Sequence, residues 1–285
     1  MAQAAGLTTL PDPPEFPAGA DPYPRWPLWF GAAGFTIGVG AGIVAAILLL
    51  PTLLIVTRGF GVDGDDDALP VLELVATLFQ DLGWVIAAIV LATTIRRPKA
   101  WHFGFRRPRL GPAVGWSVVA ILAYVAITLI YTLLLDPESG EPIETGDRYG
   151  TLIGSCVIVI VVAPLMEEIF FRGFLYRTLR THLGLWPALV IGGSLFGAVH
   201  VTSGGPLAVA LIAPLGFLLC LIYERSGSLY PCIALHALNN AIVSAAEFDR
   251  VDEIALLMGA GMLLFCLIGA LASRVKPVPR VRMVA

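Results

Sequence analysis

Residues 150–181 are GTLIGSCVIVIVVAPLMEEIFFRGFLYRTLRT, and this stretch decides the fold. It is long and apolar, yet it contains two adjacent glutamates, Glu167 and Glu168, followed by Arg172. A helix that spans a bilayer needs about 20 mostly apolar residues. Because the stretch exceeds this length, we expect one tilted or projecting membrane helix with charged groups along its interior.

Similar apolar runs recur along the whole chain. Hydrophobic residues make up 57% of the 285 residues, charged residues make up 14%, and the mean hydropathy is +0.83. A soluble domain has about 25% charged residues, so the composition excludes an ordinary soluble protein. The pattern predicts an all-α, polytopic membrane helix bundle of about eight transmembrane helices. They are expected near residues 27–57, 71–95, 113–135, 150–181, 186–202, 206–223, 229–246 and 254–273.

The charges of the connecting segments predict the orientation. Lysine and arginine concentrate at residues 96–109, 172–180 and 274–282, whereas the other connections are mainly acidic. These three basic regions lie on one side of an eight-helix bundle, and the positive-inside rule assigns that side to the cytoplasm. Both termini are therefore expected in the cytoplasm.

The chain divides into one large domain and two ends. Residues 1–26 are rich in proline and are expected to form a flexible N-terminal arm, residues 27–273 the transmembrane domain, and residues 274–285 a basic cytoplasmic tail. No basic domain is present, which argues against nucleic acid as a partner. The four cysteines are scattered without a C-x-x-C pair, which argues against disulfides and thiolate metal sites.

Ionisable residues inside a membrane are costly, and each needs a reason. Adjacent residues on a helix point about 100° apart, so Glu167 and Glu168 cannot share one role. Glu168 precedes Arg172 by four residues, on the same helix face, and is the expected structural partner of that arginine. Glu167 then faces elsewhere, unpaired, and is available as a base.

Two further motifs place polar groups on single helix faces. Phe196 precedes His200 by four residues, and His236 precedes Asn240 by the same spacing. Counted from the turn that joins their helices, Glu167 and His200 both lie about 24 Å along, so they can meet.

These groups suit hydrolysis. A carboxylate in an apolar site can act as general base toward water, and a histidine with an asparagine amide can stabilise the oxyanion of a tetrahedral intermediate. Glu167, His200 and His236 also resemble the three-ligand set of a catalytic zinc ion. Because the H-E-x-x-H arrangement is absent, zinc rests on side-chain type alone, and no cofactor is favoured.

The three motifs together resemble a known family. Glu-Glu-x-x-x-Arg at residues 167–172, Phe-x-x-x-His at 196–200 and His-x-x-x-Asn at 236–240 are similar, in that order, to the CAAX prenyl protease-like family, also called the CPBP or Abi family. The motifs cover about a quarter of the chain. The resemblance implies an intramembrane protease of a prokaryotic cell membrane, acting on a membrane-anchored protein or peptide.

The resemblance also implies roles for the motif residues. The catalytic set is Glu167, His200, His236 and Asn240. The supporting set is Glu168, Arg172 and Phe196. In this pattern Glu167 activates the water without a metal, and the alternative is a metal bound by Glu167, His200 and His236. Cleavage of a prenylated Cys-a-a-X terminus is not implied for prokaryotic members.

Two other classes of protein would also place charged groups in the membrane. A scaffold or chaperone could use the polar core to hold a partner, and a transporter could use it for a solute, although no repeated half supports transport. Glu73, Gln80 and Asp81 on the second predicted helix either line the substrate cavity or pair with a polar neighbour.

Overall fold

The computed structural model describes residues 25–59, 64–135, 149–247 and 251–273, and within them the chain forms nine helices and no strand. In chain order these are α1 (Leu28–Gly59), α2 (Gly64–Ile95), α3 (Ala100–Phe103), α4 (Leu110–Leu135), α5 (149–183), α6 (Leu185–Ala198), α7 (Val201–Ser226), α8 (Tyr230–Glu247) and α9 (Asp252–Ala272). The predicted all-α architecture is confirmed.

Six of the described helices are long and apolar enough to cross a membrane, namely α1, α2, α4, α5, α7 and α9. The chain is therefore an integral, multi-pass membrane protein. Each predicted span is helical, but α6 and α8 do not meet this criterion. α6 has 14 residues, or about 21 Å, against about 30 Å of hydrocarbon. α8 carries the polar side chains His236, Asn239 and Asn240 near its middle.

α5 changes its winding along its length. α-Helical turns alternate with two π-helical segments, Val157–Val162 and Glu168–Tyr176. π-Helical turns, whose hydrogen bonds join residues five apart, are rare and occur frequently at functional sites. One change of winding falls between Glu167, which ends an α-helical segment, and Glu168, which begins a π-helical one.

Aromatic packing holds α1 and α2 against α5. Trp84 of α2 stacks on Phe170 with ring centroids 5.4 Å apart and meets Phe171 edge-on at 4.9 Å. Gly38 of α1 lies against the indole, since a Cβ at this position would overlap Trp84 Cδ1. The absence of a side chain at Gly38 thus lets α1 and α2 approach the part of α5 that carries the charged residues.

The basic connection after α2 folds onto the bundle. Arg106 is 1% exposed, and its Nε donates to the carbonyl oxygen of Trp101 at 2.6 Å. The hydroxyl of Ser228 donates to the Arg106 carbonyl at 2.6 Å. Arg177 donates to the carbonyl of His102. His102 is itself buried.

We expect the protein to lose stability in acid through His102. Burial and then the charge of Arg177, with three further cations, lower the pKa of His102 from 6.5 to about 4. Between these values the unfolded chain binds more protons than the folded one. Stability is therefore fully present above about pH 6.5 and falls as the pH drops toward 4, by roughly 1–2 kcal/mol after solvent screening.

Thermal unfolding in detergent between pH 4 and 8 measures this effect. His102→Gln should flatten the acid limb of the curve, whereas substitution of the exposed His182 on the same side should not. Equal acid sensitivity of wild type and His102→Gln would contradict the assignment.

The two ends and the orientation stay predictions. Residues 1–24 and 274–285 lie outside the described part of the chain, as do the connections at 60–63 and 136–148. Trp26, at the boundary of the predicted arm, packs on Phe103 and Phe174 at centroid distances of 5.4 and 4.8 Å. The packed part of the chain therefore includes residue 26.

Candidate active site

A buried ion pair lies at the centre of the site. Arg172 Nη1 donates to Glu168 Oε1 at 2.6 Å, and both side chains are 0% exposed. Arg172 Nη2 also donates to the carbonyl of Gly216 on α7 at 3.3 Å. The predicted Glu168–Arg172 pair is therefore present. Because a charge buried without its partner is strongly destabilising, each member of the pair depends on the other.

Glu168 has a second partner that the local spacing did not predict. His236 Nδ1 lies 2.9 Å from the same Glu168 oxygen. A carboxylate paired with Arg172 only accepts hydrogen bonds, so Nδ1 of His236 carries a proton. This contact fixes the ring and turns its other nitrogen, Nε2, toward Glu167, 3.8 Å from Oε2.

Glu167 borders a cavity. The cavity has a volume of about 540 Å³, and its walls come from α1, α2, the Glu167 turn of α5 and the junction of α6 with α7. Oε2 of Glu167 is buried and accepts no hydrogen bond from any of the described residues. This position agrees with the expectation that Glu167 points away from the Glu168–Arg172 pair. A carboxylate oxygen without a hydrogen bond, beside a cavity, is available to bind a water molecule.

Phe196 connects the two histidines. Its ring centroid lies 5.1 Å from that of His200 and 5.4 Å from that of His236. The guanidinium carbon of Arg172 lies 4.2 Å from the same centroid. His200 Nδ1 is 2.8 Å from the carbonyl oxygen of Phe196, and His200 borders the same cavity as Glu167. The structure thus brings together Glu167, Glu168, Arg172, Phe196, His200 and His236.

Asn240, the remaining predicted catalytic residue, forms its hydrogen bond with the backbone of α5. Its Nδ2 donates to the carbonyl oxygen of Val159 at 2.9 Å. In this π-helical segment the N–H of Ala163 bonds to the carbonyl of Ile158. The next residue, Pro164, has no N–H, so the Val159 carbonyl has no donor in the helical pattern. Asn240 supplies that donor. This contact differs from the expectation from sequence, in which the amide of Asn240 points toward the catalytic residues.

The second helix adds a buried acid whose role the sequence left open. Asp81 is 0% exposed, and neither carboxylate oxygen has a hydrogen-bond partner among the described residues. The proposed pairing of Asp81 with a polar neighbour is therefore wrong for the described residues. Glu73 and Gln80, in contrast, border the cavity.

We expect Asp81→Val to raise the stability of the folded protein by about 1–3 kcal/mol, since it removes an unbonded buried polar group. The thermal unfolding midpoint in detergent measures the change. Asp81→Asn retains shape and polarity and is the control, with a smaller expected gain. A lower midpoint for Asp81→Val would show that the carboxyl has a stabilising partner.

The residues as placed do not form a metal site. Throughout 25–59, 64–135, 149–247 and 251–273, no three histidine, cysteine, aspartate or glutamate side chains lie close enough together to hold a metal ion. The three residues suggested as zinc ligands from their side-chain types are thus not arranged as a ligand set in this conformation.

Comparisons with known proteins agree with the motif pattern. Residues 149–242 match the family model for type II CAAX prenyl endopeptidase Rce1-like proteins. The uncharacterized protein YyaK of Bacillus subtilis (strain 168) is 27% identical over 234 residues, covering 75% of this chain and 76% of that protein. The uncharacterized protein YpbD of the same organism is 28% identical over 140 residues, covering 48% and 69%. No solved structure matches the chain.

The matched segment runs from the start of α5 into α8 and contains all three motifs. The resemblance to the CAAX prenyl protease-like family is therefore confirmed. The family is one of membrane-embedded proteases, which supports protease activity in general and a protein or peptide substrate.

Proposed function

We propose that this chain is an intramembrane endopeptidase that hydrolyses a peptide bond of a membrane-associated protein or peptide, with Glu167 activating the water. The observation that carries the proposal is the position of Glu167. Glu167 borders a cavity that His200 also borders, and its Oε2, which accepts no hydrogen bond from the described residues, faces His236 Nε2 across 3.8 Å. That gap is too long for a direct hydrogen bond and is one that a water can bridge.

The proposed reaction begins with this water. Glu167 takes a proton from it while His236 holds it in place, and the water oxygen attacks the carbonyl carbon of the substrate. In its doubly protonated form His200 donates from Nε2 to the carbonyl oxygen and stabilises the negative charge that develops there, while its Nδ1 donates to the Phe196 carbonyl. The C–N bond then breaks, and the proton held by Glu167 passes to the departing amine. No step requires a group other than water and these side chains.

The neighbouring residues position the catalytic ones. Glu168, held by Arg172, orients the ring of His236 through Nδ1. This arrangement is analogous to the acid that orients the histidine of a hydrolase triad. Phe196 packs on both histidine rings. We assign Asn240 to the same positioning group, because its amide completes the hydrogen bonding of α5.

The test is hydrolysis of a panel of membrane-anchored peptides, prenylated and unprenylated, by the purified chain in vesicles. Product masses identify the cleaved bond, and Glu167→Ala is compared with wild type. We expect cleavage of at least one peptide by wild type only. Cleavage should survive a zinc chelator, and its loss would favour the metal-dependent mechanism. If wild type cleaves nothing but retains one peptide, the non-catalytic scaffold is the better hypothesis.

A further inference from the structure

The cavity has one polar edge that the proposed reaction does not use. Glu73, Thr77 and Gln80 of α2 border it. Their spacings of four and three residues place them on one helix face. The facing wall, which comes from α1 residues 35–46, is apolar. A substrate peptide lying in this cavity would therefore contact apolar side chains of α1 on one side and a line of polar groups of α2 on the other.

Glu73 is the charged member of this edge. Among the described residues no cation lies within ion-pair distance of its carboxylate. A carboxylate that borders an apolar cavity at the end of a membrane span is stabilised when a cation binds it. Thr77 and Gln80 are neutral, so they can form hydrogen bonds with a substrate but cannot distinguish a charged side chain from a neutral one.

The position of Glu73 along α2 gives a distance from the reaction site. Gln80 and the adjacent Asp81 lie seven and eight residues further along the helix, which is about 10–12 Å. Gln80 is at the level of Glu167, since both side chains border the same cavity and α2 contacts the turn of α5 that ends at Glu167. An extended peptide advances about 3.3 Å per residue, so this distance corresponds to about three or four residues.

We propose that Glu73 is a specificity-determining residue that binds a lysine or arginine side chain of the substrate, three or four residues from the cleaved bond. The inference rests on the proposed protease function and adds a substrate feature to it. The apolar wall accommodates the residues between the cationic side chain and the scissile bond.

The experiment uses one peptide that wild type cleaves, with a single lysine placed in turn at each position from five residues before the cleaved bond to five after it. The same positions carry glutamine in a matched series. For wild type we expect one position, three or four residues from the bond, at which lysine raises kcat/KM at least tenfold over glutamine. Glu73→Gln should abolish this ratio, and Glu73→Lys should reverse it in favour of a glutamate-bearing peptide.

Glu253→Gln is the matched control, because Glu253 lies in the first turn of α9 and does not border the cavity. It should leave the lysine-to-glutamine ratio unchanged. A wild-type ratio near one at every position, or a ratio that persists in Glu73→Gln, would overturn the inference while leaving the protease intact.

Peptide binding separates this inference from the function on which it rests. Fluorescence anisotropy with the lysine and glutamine peptides is measured on wild type, on Glu167→Gln and on Glu73→Gln. Tighter binding of the lysine peptide that requires Glu73 but not Glu167 supports the cation site, even if no peptide is hydrolysed. Equal binding of the two peptides by wild type contradicts it.

Discussion

Glu167→Gln should lower peptide hydrolysis by about 10³-fold, since it removes the base that takes the proton of water. The substitution retains the size of the side chain. Because Oε2 of Glu167 accepts no hydrogen bond from the described residues, folded yield should be nearly unchanged, with a stability change below about 1 kcal/mol. Product formation by mass spectrometry, size-exclusion chromatography and the thermal midpoint measure these three quantities.

Glu168→Gln is the control for this variant, because it makes the same chemical change at the adjacent residue. It weakens the contacts with Arg172 and His236, so it should reduce the folded yield as well as the activity. More than a tenth of wild-type activity in Glu167→Gln would remove Glu167 from the role of base.

Arg172→Ala should destabilise the protein by about 3–5 kcal/mol, which is the cost of leaving a buried charge without its partner. The variant leaves Glu168 uncompensated and also removes the guanidinium from the ring of Phe196 and from the Gly216 carbonyl. Folded yield after detergent extraction and the thermal midpoint should both fall sharply.

A second substitution separates charge from packing. In the double variant Arg172→Ala with Glu168→Gln, no uncompensated charge remains, and part of the lost stability should return. If the double variant is no more stable than Arg172→Ala, the loss comes from packing alone. If Arg172→Ala and Glu167→Gln behave alike, the division of roles between the two glutamates is wrong.

The helices and the local pairs could be predicted because both depend on residues close in sequence. Apolar length located the membrane helices, although it did not show that α6 would end at Ala198, short of a full span. The contacts of Glu168 with Arg172 and of Phe196 with His200 each join residues four apart, the spacing at which helical side chains meet. The order of these motifs also predicted the family.

Contacts between distant helices could not be predicted in the same way. The contact of His236 with Glu168 joins residues 68 positions apart, and nothing in the local pattern of α8 selects that partner. The absence of a hydrogen bond from the described residues to Asp81 is likewise a tertiary fact, since sequence spacing left both pairing and cavity lining open. The π-helical turns of α5 were missed because the helical pattern assumes 3.6 residues per turn throughout.

The hydrogen bond from Asn240 to Val159 also bears on the order in which the protein assembles. Chains emerge from the ribosome beginning at the N-terminus, so α5 is made before α8. Until Asn240 arrives, the Val159 carbonyl lacks a donor in an apolar environment, at a cost of about 1–3 kcal/mol. The winding of α5 on which Glu167 and Glu168 depend is thus completed late in biosynthesis, when α8 docks. A nascent chain that ends before α8 consequently lacks both His236 and the completed winding of α5, on which the proposed reaction depends.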